Sequence, residues 1–238
     1  MARFREIDFR PTMMGDLILR ERWDFVAGQE LLEIKLGEEF LMSSLFTVAE
    51  TALGHLAIAD CPEGDLDVIV GGLGLGYTAL AVLEHDRVRS LVVLDALPEV
   101  IEWHQRLLIP AGATLISDHR CRLVHGDFFA GVRVGGELDE ECPGRLWHAI
   151  IVDIDHTPGH HLDPSHADLY TIDGLQRLVE RLHPGGVFAL WSDDPPEEVF
   201  MQALRAVFGQ ARAEVVTFPN PLLGQTSSST VYLAHTPT

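Results

Sequence analysis

Apolar and polar positions divide the chain into two unequal parts. In the first, Asp16-Leu17-Ile18-Leu19-Arg20-Glu21-Arg22 and Glu30-Leu31-Leu32-Glu33-Ile34-Lys35-Leu36 flank Ala27-Gly28-Gln29. Short runs of this kind around a glycine predict two strands joined by a turn. Over 38–58, Phe40, Leu41, Leu45, Phe46, Val48, Ala49, Ala52, Leu53 and Leu56 recur at helical spacing. That spacing predicts one amphipathic helix with a wide buried face.

From Asp65 the pattern changes to short strands alternating with helices. Residues 66–70 form a continuous apolar run, as a buried parallel strand requires. A Gly-rich turn and a helix to about 84 follow, then a strand at 90–94 and a helix from 98 to about 108. Further strands are predicted at 121–125 and, strongly apolar, at 147–152. A helix over 169–182 ends at His183-Pro184-Gly185-Gly186, before a strand at 187–191. Pro195-Pro196 opens a helix to about 208, and two strands near 213–218 and 230–234 flank a loop rich in Pro, Gly and Ser. This order describes an α/β fold, a Rossmann-like doubly wound sheet with an antiparallel C-terminal edge. The expected division is a small N-terminal β region plus connecting helix over 1–60 and a Rossmann-like nucleoside-binding catalytic domain over 61–238.

Composition narrows the function. The chain has 238 residues and a net charge of −19, with no Lys/Arg cluster, so nucleic acid is not an expected partner. An acidic surface attracts a cationic substrate such as a polyamine, or simply serves solubility. Cys61, Cys121 and Cys142 are far apart in sequence and read as thiols in a reducing compartment. No apolar run reaches the length of about 18 residues needed to cross a bilayer. Met-Ala-Arg-Phe-Arg-Glu is not followed by an apolar run, so no secretory signal is expected. A cytoplasmic protein without a membrane partner is the resulting expectation.

The chemistry concentrates at the ends of the strands. Val70-Gly71-Gly72-Leu73-Gly74-Leu75-Gly76 places GxGxG between a strand and a helix. Glycines there allow a tight turn and close approach to a ligand. Asp95, followed by Ala96, ends the next strand, where a carboxylate can accept hydrogen bonds from two ribose hydroxyls. A dinucleotide loop would carry its third Gly at Tyr77, so GxGxG better suits a nucleoside without a pyrophosphate. Gly126-Asp127-Phe128 follows the third strand. Asp127 either accepts from an adenine amino group, with Phe128 near the ring, or caps a helix.

Taken together, these segments resemble the spermidine synthase family from about Gly15 to Ala234. Val70-Gly71-Gly72-Leu73-Gly74-Leu75-Gly76 stands where the family has Gly-Gly-Gly-Asp-Gly-Gly. Val93-Leu94-Asp95 is similar to its ribose-binding segment, and His125-Gly126-Asp127-Phe128-Phe129 to its adenine motif. Ile150-Ile151-Val152-Asp153 resembles the strand ending in its catalytic Asp, and Phe218-Pro219-Asn220-Pro221 its late loop over the active site. The resemblance implies a class I methyltransferase type of fold, S-adenosylmethionine or its decarboxylated form as co-substrate, and a homodimer or larger homo-oligomer. It also implies transfer of an aminopropyl or a methyl group to a small acceptor, an amine among the candidates. Gly71, Gly72, Gly74, Gly76, Asp95, Ala96, Asp127 and Phe128 are then the expected nucleoside site.

The departures fall at the chemistry. The family's loop Asp is Gly74 here, and its Asp-Ser-x-Asp-Pro becomes Asp153-Ile154-Asp155-His156-Thr157-Pro158. Phe40-Leu41-Met42-Ser43-Ser44 lacks an expected Tyr, and Leu222-Leu223-Gly224-Gln225-Thr226 replaces an aromatic late loop. Asp153, Asp155 and His156 are the expected catalytic groups, Asp153 orienting or deprotonating the acceptor, with a turn cap as its plain alternative. His156, His160, His161 and His166 lie near Asp155, Asp163 and Asp168, but no helical HxxxH spacing favours a metal, and none is expected. A loop His acting as base, or solvated histidines, stay open. Asp193 and Asp194 either cap the following helix, the favoured expectation, or bind a cation.

Three functions follow. Methyl transfer from S-adenosylmethionine on a spermidine-synthase-like scaffold accommodates the altered acceptor residues and is the leading expectation. Aminopropyl transfer from decarboxylated S-adenosylmethionine to a polyamine is the alternative. A non-catalytic nucleoside-binding or assembly protein, with the 38–58 helix at a dimer interface, is the third.

Overall fold

A computed structural model describes residues 4–237, so Met1 to Arg3, part of the segment read for a leader, lie outside the described residues. Four strands, β1 (Phe4–Thr12), β2 (Gly15–Asp24), β3 (Gln29–Leu36) and β4 (Glu39–Ser43), form an antiparallel meander. Helix α1 (Val48–Asp60) leads from it into a larger sheet. The single helix expected over 38–58 is therefore corrected: its first part is β4, and the helix starts at Val48. Phe40 and Leu41 fit helical spacing, but Ile34 pairs with Met42 and Glu33 with Ser43, and cross-strand hydrogen bonding prevails over the local pattern.

The larger sheet has seven strands in the order β10-β11-β9-β8-β5-β6-β7. These are β5 (Leu66–Gly71), β6 (Val88–Asp95), β7 (Cys121–His125), β8 (Trp147–Val152), β9 (Leu182–Ser192), β10 (Gln210–Asn220) and β11 (Gln225–His235). Strands β5 to β9 are mutually parallel, and β11 and β10 complete an antiparallel edge. The helices are α2 (Tyr77–Leu83), α3 (Pro98–Gln105), α4 (Gly112–Ser117), α5 (Phe128–Val132), α6 (Ile172–Val179) and α7 (Glu198–Phe208). The fold is thus the Rossmann-like doubly wound sheet expected.

Two helical assignments change. The 169–182 helix is a 3-10 segment, Pro164–Tyr170, followed by α6, because Thr171 caps α6 by accepting from Gly174 N at 3.1 Å. His183-Pro184-Gly185-Gly186 lies inside β9 rather than ending a helix. The Pro/Gly/Ser-rich loop also shrinks: β10 and β11 pair continuously as far as Asn220 with Gln225, leaving a short hairpin turn.

Strand alternation sorts the core onto the two sheet faces. Val68, Val70, Val93 and Ile151 face one way, onto α1 and α2, in a cluster that also takes in Leu17, Leu19, Ile34 and Leu36 of the meander. Ile69, Val92, Ile150 and Val152 face the other way, onto α5, α6 and α7. Burying a Val, Leu or Ile side chain contributes roughly 1.5–3 kcal/mol, so the meander is held by the same apolar cluster as the sheet. No described helix is long and apolar enough to cross a membrane.

Candidate active site

The sheet order reverses beside β5, the first strand of the parallel set, which lies between β8 and β6. Crevices at such points, outside the C-terminal strand ends, are where ligands bind in this architecture. Here the crevice is a cleft of about 300 Å³ between those strand ends and the meander. Gly72, Gly74, Asp95, Ala96, Asp127, Phe128, Asp153 and His156 all line it, whereas Gly71, Gly76 and Asp155 do not.

One half of the cleft suits a nucleoside. Gly72 has φ +95°, and a Cβ there would run into the carbonyl oxygen of Asp153. Only glycine lets β5 turn at this point with the end of β8 so close. Asp95 accepts from Leu73 N through one oxygen and from Leu97 N through the other, both at 2.8 Å. Burial pushes its carboxyl pKa up, opposed by those backbone donors. Each oxygen keeps lone-pair capacity for another donor. Asp127 accepts from Ala130 N at 3.1 Å, so it does cap α5, and it lines the cleft as well. Phe128 is buried, and its ring would meet a Cβ at Gly71 at 2.7 Å, which explains why Gly71 serves packing instead of lining the cleft. Gly76 is the left-handed N-cap of α2, packed near His104, whose ring nitrogen lies 2.9 Å from the Gly74 carbonyl oxygen.

The other half holds acids. Asp153 follows β8 and accepts from Thr78 Oγ1 at 2.6 Å. Burial raises its pKa to about 6. Glu50 of α1, which sequence reasoning missed, lines the same end. Burial, then the nearby Asp153 charge, raise Glu50 to about 8. Its placement follows from Gly54 one turn later, where a Cβ would meet Ala81 Cβ at 2.8 Å. The missing side chain lets α1 and α2 touch, bringing Glu50 beside Thr78, whose hydroxyl oxygen lies 3.3 Å from the Glu50 carbonyl oxygen. The available signal was a lone acid among Ala49, Leu53 and Ala57 on the buried helix face. Burial pushes Asp193 up too.

Asp155 takes a different position from the one expected of a catalytic acid. It is buried and accepts from Leu162 N at 2.7 Å, His166 Nδ1 at 2.8 Å and Tyr170 Oη at 2.8 Å. It anchors the loop after β8, and it is His166 that reaches the cleft, stacked on Phe129 with centroids 3.7 Å apart. His156 lines the cleft 3.6 Å from a Glu39 carboxylate oxygen, with its ring 4.9 Å from that of His160. His161 stacks on Tyr170. His156 and His160 lie together, away from His166 on Phe129 and His161 on Tyr170, and no group of three or more His, Cys, Asp or Glu among the described residues could hold a metal. The expected capping by Asp193 and Asp194 is corrected: the α7 N-cap is Glu197, without a side-chain cap, because the helix starts four residues after Asp194. Phe218-Pro219-Asn220 is strand, and Phe218 packs on Phe46 rather than lining the cleft.

No protein-family model matches the chain. A polyamine aminopropyltransferase of Prochlorococcus marinus (strain NATL1A) is 24% identical over 227 residues, covering 92% of this chain and 73% of that one. A spermidine synthase in complex with the transition-state analogue AdoDATO superimposes with a TM-score of 0.72 at 20% identity, over 97% of this chain and 73% of the other. The spermidine synthase of Thermotoga maritima gives 0.72 at 21% identity, over 97% and 72%. Human methyltransferase-like protein 13 in complex with SAH gives 0.52 at 18% identity, over 79% and 80%. The resemblance to the spermidine synthase family seen in the sequence is borne out by these similarities.

Proposed function

We propose that this spermidine-synthase-like chain is a transferase that moves an aminopropyl group from decarboxylated S-adenosylmethionine to a small amine. The observation carrying this reading is the charge of the cleft. Glu50, Asp95, Asp127, Asp153 and Asp163 line it, and among the described residues no Lys or Arg does. Decarboxylated S-adenosylmethionine is a dication, with a sulfonium and an ammonium. S-adenosylmethionine adds a carboxylate, which would lie among these acids with no described Lys or Arg to pair with it, an unfavourable placement. The similarity to a polyamine aminopropyltransferase agrees with this order, so aminopropyl transfer is placed ahead of the methyl transfer that the altered motifs suggested.

In this reading Asp95 holds the ribose and Asp127 the adenine amino group. The acceptor nitrogen attacks the aminopropyl carbon bound to sulfur. The C–S bond breaks with its electron pair going to sulfur, leaving neutral methylthioadenosine. Before the attack the acceptor ammonium gives a proton to Asp153, whose pKa of about 6 leaves it largely ionised at neutral pH, and after it the secondary amine carries the positive charge that sulfur has lost. Positioning two cations against carboxylates in a half-dry cleft supplies much of the acceleration.

One observation favours methyl transfer instead: the loop has Gly74 with the Met42 sulfur packed against it, and no acid of its own there. Titration with S-adenosylmethionine, its decarboxylated form and methylthioadenosine separates the two. Tighter binding of the decarboxylated form, with aminopropylated diamine seen by mass spectrometry, is expected. Tighter binding of S-adenosylmethionine with methylated product would replace the reading. Binding without turnover of any amine would leave a nucleoside-binding protein.

A further inference from the structure

Glu50 is the anomaly of the cleft. It is only 9% exposed and lines the cavity. Its carboxylate has no hydrogen-bond partner on any other described residue, only its own backbone N–H. The charged groups that face it are Asp153, at the end of β8, and Asp193, after β9. Tyr77, at the start of α2, is its other titratable neighbour. Beyond Asp193 stands His156, itself beside Glu39. A buried carboxylate is normally paired with a cation or hydrogen-bonded, because desolvating it alone costs several kcal/mol. Here helix packing drives it toward two further acids.

We propose that Glu50 and Asp153 together form the seat of a primary ammonium group, with Tyr77 and Trp191 as aromatic walls of the same cleft. The ammonium has three donors, enough to bridge two carboxylates. Its charge offsets the repulsion between them, and the aromatic faces lining the cleft favour a desolvated cation. The Gly-rich loop presents Gly74 to the cleft and contributes no side-chain charge, so α1 and β8 carry the recognition. This deepens the transferase reading and rests on it for the ligand's identity: the ammonium belongs either to the aminopropyl arm of the donor or to the acceptor diamine.

The same geometry makes amine binding proton-linked. Raised carboxyl pKa values, about 8 for Glu50 and about 6 for Asp153, mean that the empty pair carries a proton near neutrality. An arriving ammonium displaces it. Amine affinity therefore falls as pH drops through that window, whereas a nucleoside without an ammonium is indifferent to it.

The test compares the parent with Glu50→Gln, which keeps the shape and removes the charge, and Glu50→Asp, which keeps the charge. Calorimetry is run with decarboxylated S-adenosylmethionine, with methylthioadenosine, and with 1,4-diaminobutane alone and after methylthioadenosine. The Gln variant is expected to lose about tenfold or more in affinity for an amine-bearing ligand, to keep its methylthioadenosine affinity, and to lose the upper part of the pH dependence. The Asp variant should recover part of the loss. Loss confined to the decarboxylated nucleoside assigns the seat to the donor, and loss confined to the diamine assigns it to the acceptor. Unchanged affinity for both amines, at unchanged pH dependence, overturns the proposal. If the parent binds no nucleoside, the transferase reading fails, while the diamine titration still decides whether the seat exists.

Discussion

Thr78 Oγ1 donates a 2.6 Å hydrogen bond to Asp153 Oδ2, tying the first turn of α2 to the end of β8. This bond stabilises the ionised carboxylate and is what opposes the upward push of burial on Asp153. Thr78→Val keeps the branched shape and removes the donor. The Asp153 pKa should then rise, and the acidic limb of the pH–rate profile should move to higher pH by roughly one unit. An unmoved limb would show that another group titrates in the rate.

Replacing Asp153 by Asn removes the proton acceptor while keeping the size. Turnover should fall by about 10²–10⁴-fold, with methylthioadenosine affinity nearly unchanged because the nucleoside half of the cleft is intact. Single-turnover mass spectrometry together with calorimetry reads both. Full activity would remove Asp153 from the chemistry.

Stability should carry the mark of Glu50. Its pKa is about 8 when folded, against 4.5 for an ordinary glutamate. Between those values the unfolded chain releases the proton and the folded chain keeps it. The stabilisation is therefore complete below about 4.5 and lost as pH rises through about 8. Glu50→Gln should be increasingly more stable than the parent across that window, by roughly 4 kcal/mol at its alkaline end. Urea midpoints at mildly acidic and mildly alkaline pH check this, and a constant difference would refute it.

Asp155 is hydrogen-bonded within the loop after β8 and does not line the cleft. Asp155→Ala leaves Leu162 N, His166 Nδ1 and Tyr170 Oη without their acceptor. The expected cost is about 3 kcal/mol of stability, together with weaker nucleoside binding as His166 leaves Phe129. A stable variant that loses only turnover would return Asp155 to the reacting centre.

Gly72→Ala sets a Cβ against the Asp153 carbonyl at a φ of +95°. A strained backbone of this kind costs about 1–3 kcal/mol, and the displaced loop should abolish nucleoside binding. Retained affinity would mean that the loop does not touch the ligand.

Local pattern made much of the fold legible. β7 and β8 run over the residues expected, and the apolar run at β5 leads into the Gly-rich loop as read. In a parallel sheet the chain carries its own address, because the residues after each apolar run must emerge at one rim. That is why the sequence alone points Gly72, Asp95, Asp127 and Asp153 toward a single cleft, which all four line. Three outcomes depended on residues distant in sequence. Residues 39–43 became strand because β3 offered its hydrogen-bonding edge. Asp155 turned to His166 and Tyr170 because the loop after β8 folds back upon itself. Glu50 entered the site because Gly54 allows α1 to rest on α2. Periodicity reports which face of an element is buried, but the neighbour that buries it, and hence the charge of the finished cleft, is set only when the elements pack together.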